Sequence, residues 1–278
     1  MAKQLLDVLL RLRDERSPHA VATVVETQGS VSAKTGSKAV IGADGRLLAG
    51  WVGGGCAEST ASQTALDCIK SGEPRIIDID MTDEMLGVGM PCGGSMRVYV
   101  EPVLPRPVLW ILGHGRVAEA VCAMGDLVGF DVVVNDPLVR NEDYPAAREL
   151  ISDDIDYSRL QPGPDDFVVV ATQHKGDHES MQRTLASDAR YVALIASRKR
   201  AGLVLDFLRE KGYAENDIAR VRTPAGLDLN ARTPEEIALS VVSEIVMERR
   251  GGSGQPIARM EKLSARATAP ALGAGGRT

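Results

Sequence analysis

The chain predicts an α/β protein: an N-terminal mixed α/β domain followed by a domain built on a parallel sheet. Three observations carry this. Val108 to Leu112 (VLWIL) is a short, continuous apolar run, as a strand buried on both faces would be, and a glycine-rich turn and a helical pattern follow it directly. Similar runs at Phe130–Asn135, Phe167–Ala171 and Tyr191–Ala196 alternate with helical stretches near Glu179–Ala186, Lys199–Lys211 and Pro234–Arg249. The first hundred residues read differently, with short strands, a hairpin and helices of their own.

The opening segment, Met1 to Arg16, sets Leu5, Leu6, Leu9, Leu10 and Leu12 among charged residues and predicts an amphipathic helix rather than a secretory leader. Ala20 to Thr27 is an apolar, β-branched run that ends at Gln28-Gly29-Ser30, as a strand entering a loop would. Lys38–Ile41 and Arg46–Ala49 flank Ala43-Asp44-Gly45, a hairpin signal. Ala57 to Lys70 has helical spacing and stops at Ser71-Gly72, while Arg75–Asp80 and Ser95–Val103 read as strands. Two prolines in Leu104-Pro105-Arg106-Pro107 mark a linker, because each removes a backbone donor and stiffens the chain. The expected division is therefore 1–104, 105–250 and a tail, 251–278, whose Gly, Ala and Pro without a period predict disorder.

Composition narrows the function. The 278 residues carry a formal net charge of -6, and phosphate neutralisation needs a clustered excess of Lys and Arg, so nucleic acid is excluded as the main partner. Aromatic residues are only 4%, too few for platforms on which bases stack. No run is long enough for a membrane span, and a cytoplasmic location is expected. Four cysteines without a C-x-x-C pair would stay reduced there, which excludes a standard structural zinc motif but leaves a thiolate ligand open.

Two of those cysteines stand beside glycine runs: Gly53-Gly54-Gly55-Cys56-Ala57-Glu58 and, 36 residues on, Pro91-Cys92-Gly93-Gly94. Glycine allows positive φ and close approach of backbone to a ligand, and a thiolate is a soft ligand. Together they suggest an exposed, ligand-facing thiol pair, Cys56 and Cys92, able to contact a metal. The alternative is that the thiols are small buried hydrophobes and the glycines ordinary turns. Cys56 falls where a glycine-rich loop meets a helix N-terminus, a place that favours negative charge.

Gly113-His114-Gly115-Arg116-Val117-Ala118 follows a strand, opens a helix, and precedes a second strand that ends at Asp136. This is the context of a nucleotide-binding Rossmann turn. Gly113 would make the tight turn, Gly115 would let backbone meet a pyrophosphate, Ala118 would permit close helix packing and Asp136 would take a ribose hydroxyl. Ser197-Arg198-Lys199-Arg200 also follows a strand, with Ser197 as a helix N-cap, and reads either as a phosphate site or as a solvated basic turn. His174 and His178, four apart, have a spacing that could join two metal ligands on a helix, but Gly176 between them favours ordinary loop histidines. Thr233-Pro234-Glu235-Glu236 is a capping box with proline at the first helical position, which leaves Gly226-Leu227-Asp228 unexplained.

These motifs, in this order, resemble the XdhC/CoxI proteins over nearly the whole chain to about Arg250: Gly29-Ser30 with Gly36, Gly54-Gly55-Cys56 with Glu58, Cys92-Gly93-Gly94, Glu101-Pro102, Gly113 with Gly115, Ser197-Arg198-Lys199, Gly226-Leu227-Asp228 and Thr233 to Ala238. The resemblance implies a chaperone that holds the molybdenum cofactor and helps insert it into an apo-molybdenum hydroxylase of the xanthine dehydrogenase or aerobic carbon monoxide dehydrogenase type. It implies cofactor contacts at Gly54, Gly55, Cys56, Glu58, Cys92, Gly93, Gly94, Gly113, Gly115, Asp136, Ser197 and Arg198, in a crevice between the domains, and no catalytic residue. A cysteine desulfurase or a cofactor biosynthesis protein would be a further partner, and the protein would be a homo-oligomer. Four positions depart from the family's pattern. Ser32 and Ala33 stand where Pro and Arg are usual, Ala196 replaces a glycine, and Ala225 replaces an isoleucine. A second reading of the residues is a Rossmann oxidoreductase using NAD(P) or a flavin nucleotide, although no His or Lys is placed as a hydride-transfer acid or base.

Overall fold

The computed structural model describes residues 2–80, 94–172 and 176–258. The chain divides into two compact units, Met1–Pro105 and Arg106–Thr278. The first contains α1 (Ala2–Asp14), β1 (His19–Gly29), β2 (Lys38–Gly42), β3 (Leu47–Gly50), α2 (Cys56–Ser71), β4 (Arg75–Asp80) and β5 (Gly94–Val103). Its strands form an antiparallel sheet in the order β3-β2-β1-β5-β4, with the expected hairpin joining β2 to β3.

Period-two patterning sets which face of this sheet is covered. In β5, Met96, Val98 and Val100 are buried in alternation with Arg97, Tyr99 and Glu101. The buried row meets α2, whose Ala57, Ala61, Ala65 and Cys68 form one small-residue stripe that lets the helix lie close against Ala20, Ala22 and Val24. α2 stops where Gly72 takes the left-handed conformation and donates its N–H to the Cys68 carbonyl. On a second cluster, Leu12 of α1 packs with Val40 and Ala49.

The second unit contains β6 (Val108–Leu112), α3 (Arg116–Leu127), β7 (Asp131–Asn135), β8 (Glu149–Ile151), β9 (Phe167–Val170), α4 (Asp177–Leu185), β10 (Tyr191–Leu194), α5 (Arg198–Glu210), α6 (Glu215–Ile218), β11 (Val221–Arg222) and α7 (Pro234–Arg250). All six strands are parallel, in the order β11-β10-β9-β6-β7-β8. Counted from β6, this is the doubly wound order, with the topological switch between β6 and β9. The continuous apolar runs have the reason expected of them. Phe167 and Val169 of β9 pack in the cluster that includes α3 and α7, whereas Val168 and Val170 pack in the one that includes α4 and α5.

β8 and β11, of three and two residues, have no apolar run long enough to announce them. Gly226-Leu227 now has a packing role. Ser240 of α7 donates its hydroxyl to the Leu227 carbonyl, Glu244 accepts the Gly226 N–H at 2.7 Å, and a Cβ at Gly226 would lie against Ser240. The capping box of α7 is present in full: Thr233 Oγ1 accepts the Glu236 N–H and Glu236 reaches back to the Thr233 N–H. Thr233→Ala is expected to cost about 1 kcal/mol, read as a lower urea midpoint at unchanged slope. Past Gly251 the chain is not free at once, since the Gly252 N–H bonds to the Met247 carbonyl and Gly254 lies against Met247 and Leu227. Residues 259–278 lie outside the described ones.

Candidate functional site

In the first unit, three segments converge on the start of α2. Gly53 has φ +120, and a Cβ there would approach Ala57, Met96 and Ser32. Gly94 is pressed against the loop after β1, where a Cβ would lie 2.5 Å from the Gln28 carbonyl oxygen and 2.9 Å from the Ser30 nitrogen. The loop 29–33, the glycine turn and the first residues of β5 are thus packed together, and glycine is required at both contacts. At Gly54 and Gly55 the situation is reversed, because a Cβ would meet nothing within 4 Å. Gly55, with φ +57, is the N-cap of α2, and Cys56 is its first helical residue.

Cys56 is exposed, with open space before it and the unpaired N–H groups of the first helical turn beside it. Glu58 sits in the same turn, half-buried. Cys92 and Gly93 lie outside the described residues, so the expected thiol pair is described at Cys56 alone. The other two thiols are core groups. Cys68 is buried under the sheet and Cys122 within the second unit, and burial pushes both thiols upward, Cys122 to about 11. Iodoacetamide is therefore expected to label Cys56 in the native protein and to spare Cys68 and Cys122 until it is unfolded, as read by peptide mass spectrometry.

In the second unit, a cleft of about 500 Å³ opens at the carboxyl ends of β6 and β9, where open α/β sheets bind ligands. Gly113 makes the tight turn. Its N–H donates to the Asn135 carbonyl at 3.1 Å, and its α-carbon packs on the chain leaving β9. Ala118 is fully buried, as close helix packing requires. Asp136 directly follows β7 as expected, but Oδ1 already accepts the Leu138 N–H at 2.9 Å and lies 2.9 Å from His114 Nδ1 without hydrogen-bond alignment. Gly115 has the positive φ, +98, that its role needs, yet its N–H is donated to Tyr144 Oη at 3.1 Å. Tyr144 is a core residue, and burial raises its hydroxyl well above the usual tyrosine range.

Below this turn, Asp154 accepts Asn135 Nδ2, the Ser158 hydroxyl and the Ser158 and Arg159 N–H groups. Burial alone would raise its pKa, but these bonds outweigh burial and hold it near 2. A carboxyl with a depressed folded-state pKa contributes stability that is complete above its unfolded value of about 4 and is lost as pH falls toward 2. Asp154→Asn is expected to flatten that acid limb in melts across the window.

Ser197 is the N-cap of α5 and accepts the Arg200 N–H, so its hydroxyl is committed to the helix. Arg198 points to solvent, and it is Arg200 that lines the cleft, paired bidentately with Asp177 and donating to the Thr172 carbonyl at 2.9 Å. His178 stacks on Phe207 with ring centroids 4.0 Å apart, and His174 lies outside the described residues. Among the described residues no group of three or more His, Cys, Asp or Glu is placed to hold a metal ion, and no helix is long and apolar enough to cross a membrane. Sequence reasoning named Arg200 only as part of the Ser197–Arg200 motif and missed Asp177, Thr172, Tyr144 and the His114 contact. The phase of α5, set by its Ser197 cap, was the one available signal, and it pointed to Arg200.

Comparison with known proteins agrees with this architecture. The XdhC Rossmann domain matches residues 109–245 and the XdhC and CoxI family matches residues 12–80. The uncharacterized protein YqeB of Escherichia coli K12 is 32% identical over 251 residues, 88% of this chain, and this chain spans only 46% of its length. The molybdenum cofactor insertion chaperone PaoD of the same organism is 25% identical over 82% of this chain and 83% of its own. A probable xanthine dehydrogenase subunit from Bacillus subtilis is 27% identical over 56% of this chain and 47% of its own. With a glycine-cysteine turn in the first unit and a doubly wound sheet in the second, each matched by its own domain, the chain belongs to the XdhC and CoxI family.

Proposed function

We propose that the protein is a cytoplasmic chaperone that holds the molybdenum cofactor as cargo and assists its insertion into an apo-molybdenum hydroxylase, without turnover of its own. The observation that carries this is Cys56, an exposed thiol at a helix start, reached across a glycine turn with open space at Gly54 and Gly55. A soft thiolate suits a molybdenum centre, and the open turn admits a bulky ligand. The likeness to PaoD supports the same assignment. Cys56 would contact the metal end of the cargo, and the first-turn N–H groups of α2 would face its anionic groups. The reading extends the site to Glu58 and to Cys92, Gly93 and Gly94. The client would be of the xanthine dehydrogenase or carbon monoxide dehydrogenase type, and a cysteine desulfurase or cofactor biosynthesis protein would supply the cargo.

An NAD(P)- or flavin-dependent oxidoreductase would need the Gly115 N–H and Asp136 available to its nucleotide, and both are engaged within the protein. The test is to purify the protein from molybdenum-replete cells and measure bound molybdenum and pterin by metal analysis and mass spectrometry. The purified complex is then added to an apo-hydroxylase. Stoichiometric cofactor and recovery of client activity are expected; an empty protein that leaves the client inactive would overturn the proposal.

A further inference from the structure

Among the described residues, the wall of the second unit's cleft has two charged side chains, Arg116 and Arg200, and each is paired with a carboxylate. His114 faces Asp136 at 2.9 Å, Arg116 pairs with Glu235 at 2.9 Å, and Arg200 pairs bidentately with Asp177. Thr172 is spent as well, donating to Asp177 and accepting from Arg200. The other side chains that bear on a ligand among the described wall residues are apolar: Val117, Ala171 and Ile195. A pyrophosphate entering here would find no unmatched cation among the described wall residues. It would also find the N–H of Gly115 taken by Tyr144, a residue only 3% exposed. Vacating that position means moving a side chain packed in the main core cluster, at the cost of buried apolar area and of a buried hydroxyl left without a partner.

From this we infer that the cleft is a binding site for an uncharged, planar heterocycle with hydrogen-bonding edges, of the pterin or purine class, and that Tyr144 and the His114–Asp136 contact set this specificity against dinucleotides. The ring lies against Val117, Ala171 and Ile195, and its acceptor edge takes the unpaired first-turn N–H groups of α3, which a neutral acceptor satisfies without a counter-charge. The inference rests on the cofactor-chaperone reading for its natural ligand and concerns the second unit alone.

The full-length protein is titrated by calorimetry with pterin, adenine, pyrophosphate and NAD⁺. Pterin or adenine is expected to bind, the tighter of the two naming the ring, with an affinity that changes less than about twofold between roughly 50 and 500 mM NaCl, because no ion pair forms with the ligand. Pyrophosphate and NAD⁺ are expected to leave that binding unchanged at about millimolar concentration. Ile195→Trp, which fills the cleft, and the milder Val117→Phe should each weaken binding at least about tenfold with unfolding transitions intact. Four results would each overturn the inference: no binding of either ring; displacement by pyrophosphate or NAD⁺; a tenfold loss of affinity with salt; or unchanged binding in both folded variants. Because Cys56 plays no part in these titrations, their failure leaves the test of client activation standing, and the reverse also holds.

Discussion

Cys56→Ser is expected to remove most of the molybdenum that co-purifies with the protein, a loss of at least about tenfold, and to leave the apo-hydroxylase inactive in reconstitution. Its melting temperature should move by less than about 2 °C, because an exposed side chain away from packing contributes under about 0.5 kcal/mol. The two readings of this thiol diverge sharply here. A soft ligand replaced by a hard hydroxyl loses its bond to molybdenum while the helix start keeps its shape. A structural thiol would instead show its loss in stability, as Cys68→Ser would, since the fully buried sulfur gives up its packing among alanines and valines. A normal molybdenum content in folded Cys56→Ser protein would move the site elsewhere. The Ala variant separates ligation from polarity: Cys56→Ala should behave as Cys56→Ser does.

How far the sequence could be read depended on the range of the interactions. The strand VLWIL, the Asp-Gly hairpin, the Ala-rich helix after Cys56 and the capping box at Thr233 are local patterns, and the structure contains each of them. What was not legible is what closes over long separations. Tyr144 reaches Gly115 across 29 residues and Arg200 reaches Asp177 across 23, and neither pairing leaves a periodic or spaced trace. For the same reason the glycine fingerprint located the turn and not its hydrogen bonds. Glycines 113 and 115 have the conformations the motif demands, while the donor the motif usually offers to phosphate is used inside the core. Gly226-Leu227 is a like case, its glycine being needed for the fit to Ser240 rather than for a ligand.

Gly113→Ala is expected to have a large effect on the stability of the second unit. The residue has φ +129, where an L side chain is strained, and the new Cβ would lie 2.5 Å from both the carbonyl carbon and oxygen of Ala171 and 2.7 Å from the Thr172 nitrogen. These are backbone atoms, so the clash cannot be relieved by turning a rotamer. The chain at Ala171 is itself held, because its N–H donates to the Leu112 carbonyl at 2.8 Å and continues the ladder that joins β6 to β9. Either that central ladder opens or the turn leaves its hydrogen bond to Asn135, and the cost of the strain and the broken bond together is about 4 kcal/mol. Gly54→Ala supplies the control in the other unit, since its Cβ meets nothing within 4 Å and no positive φ is recorded there; it should change stability by less than about 0.5 kcal/mol. Urea unfolding followed by circular dichroism reads both, as a large drop in midpoint for the first and none for the second. A Gly113→Ala protein with a wild-type midpoint would mean that the turn moves freely away from β9, and the switch-point cleft could not then have the fixed wall on which its ligand specificity depends.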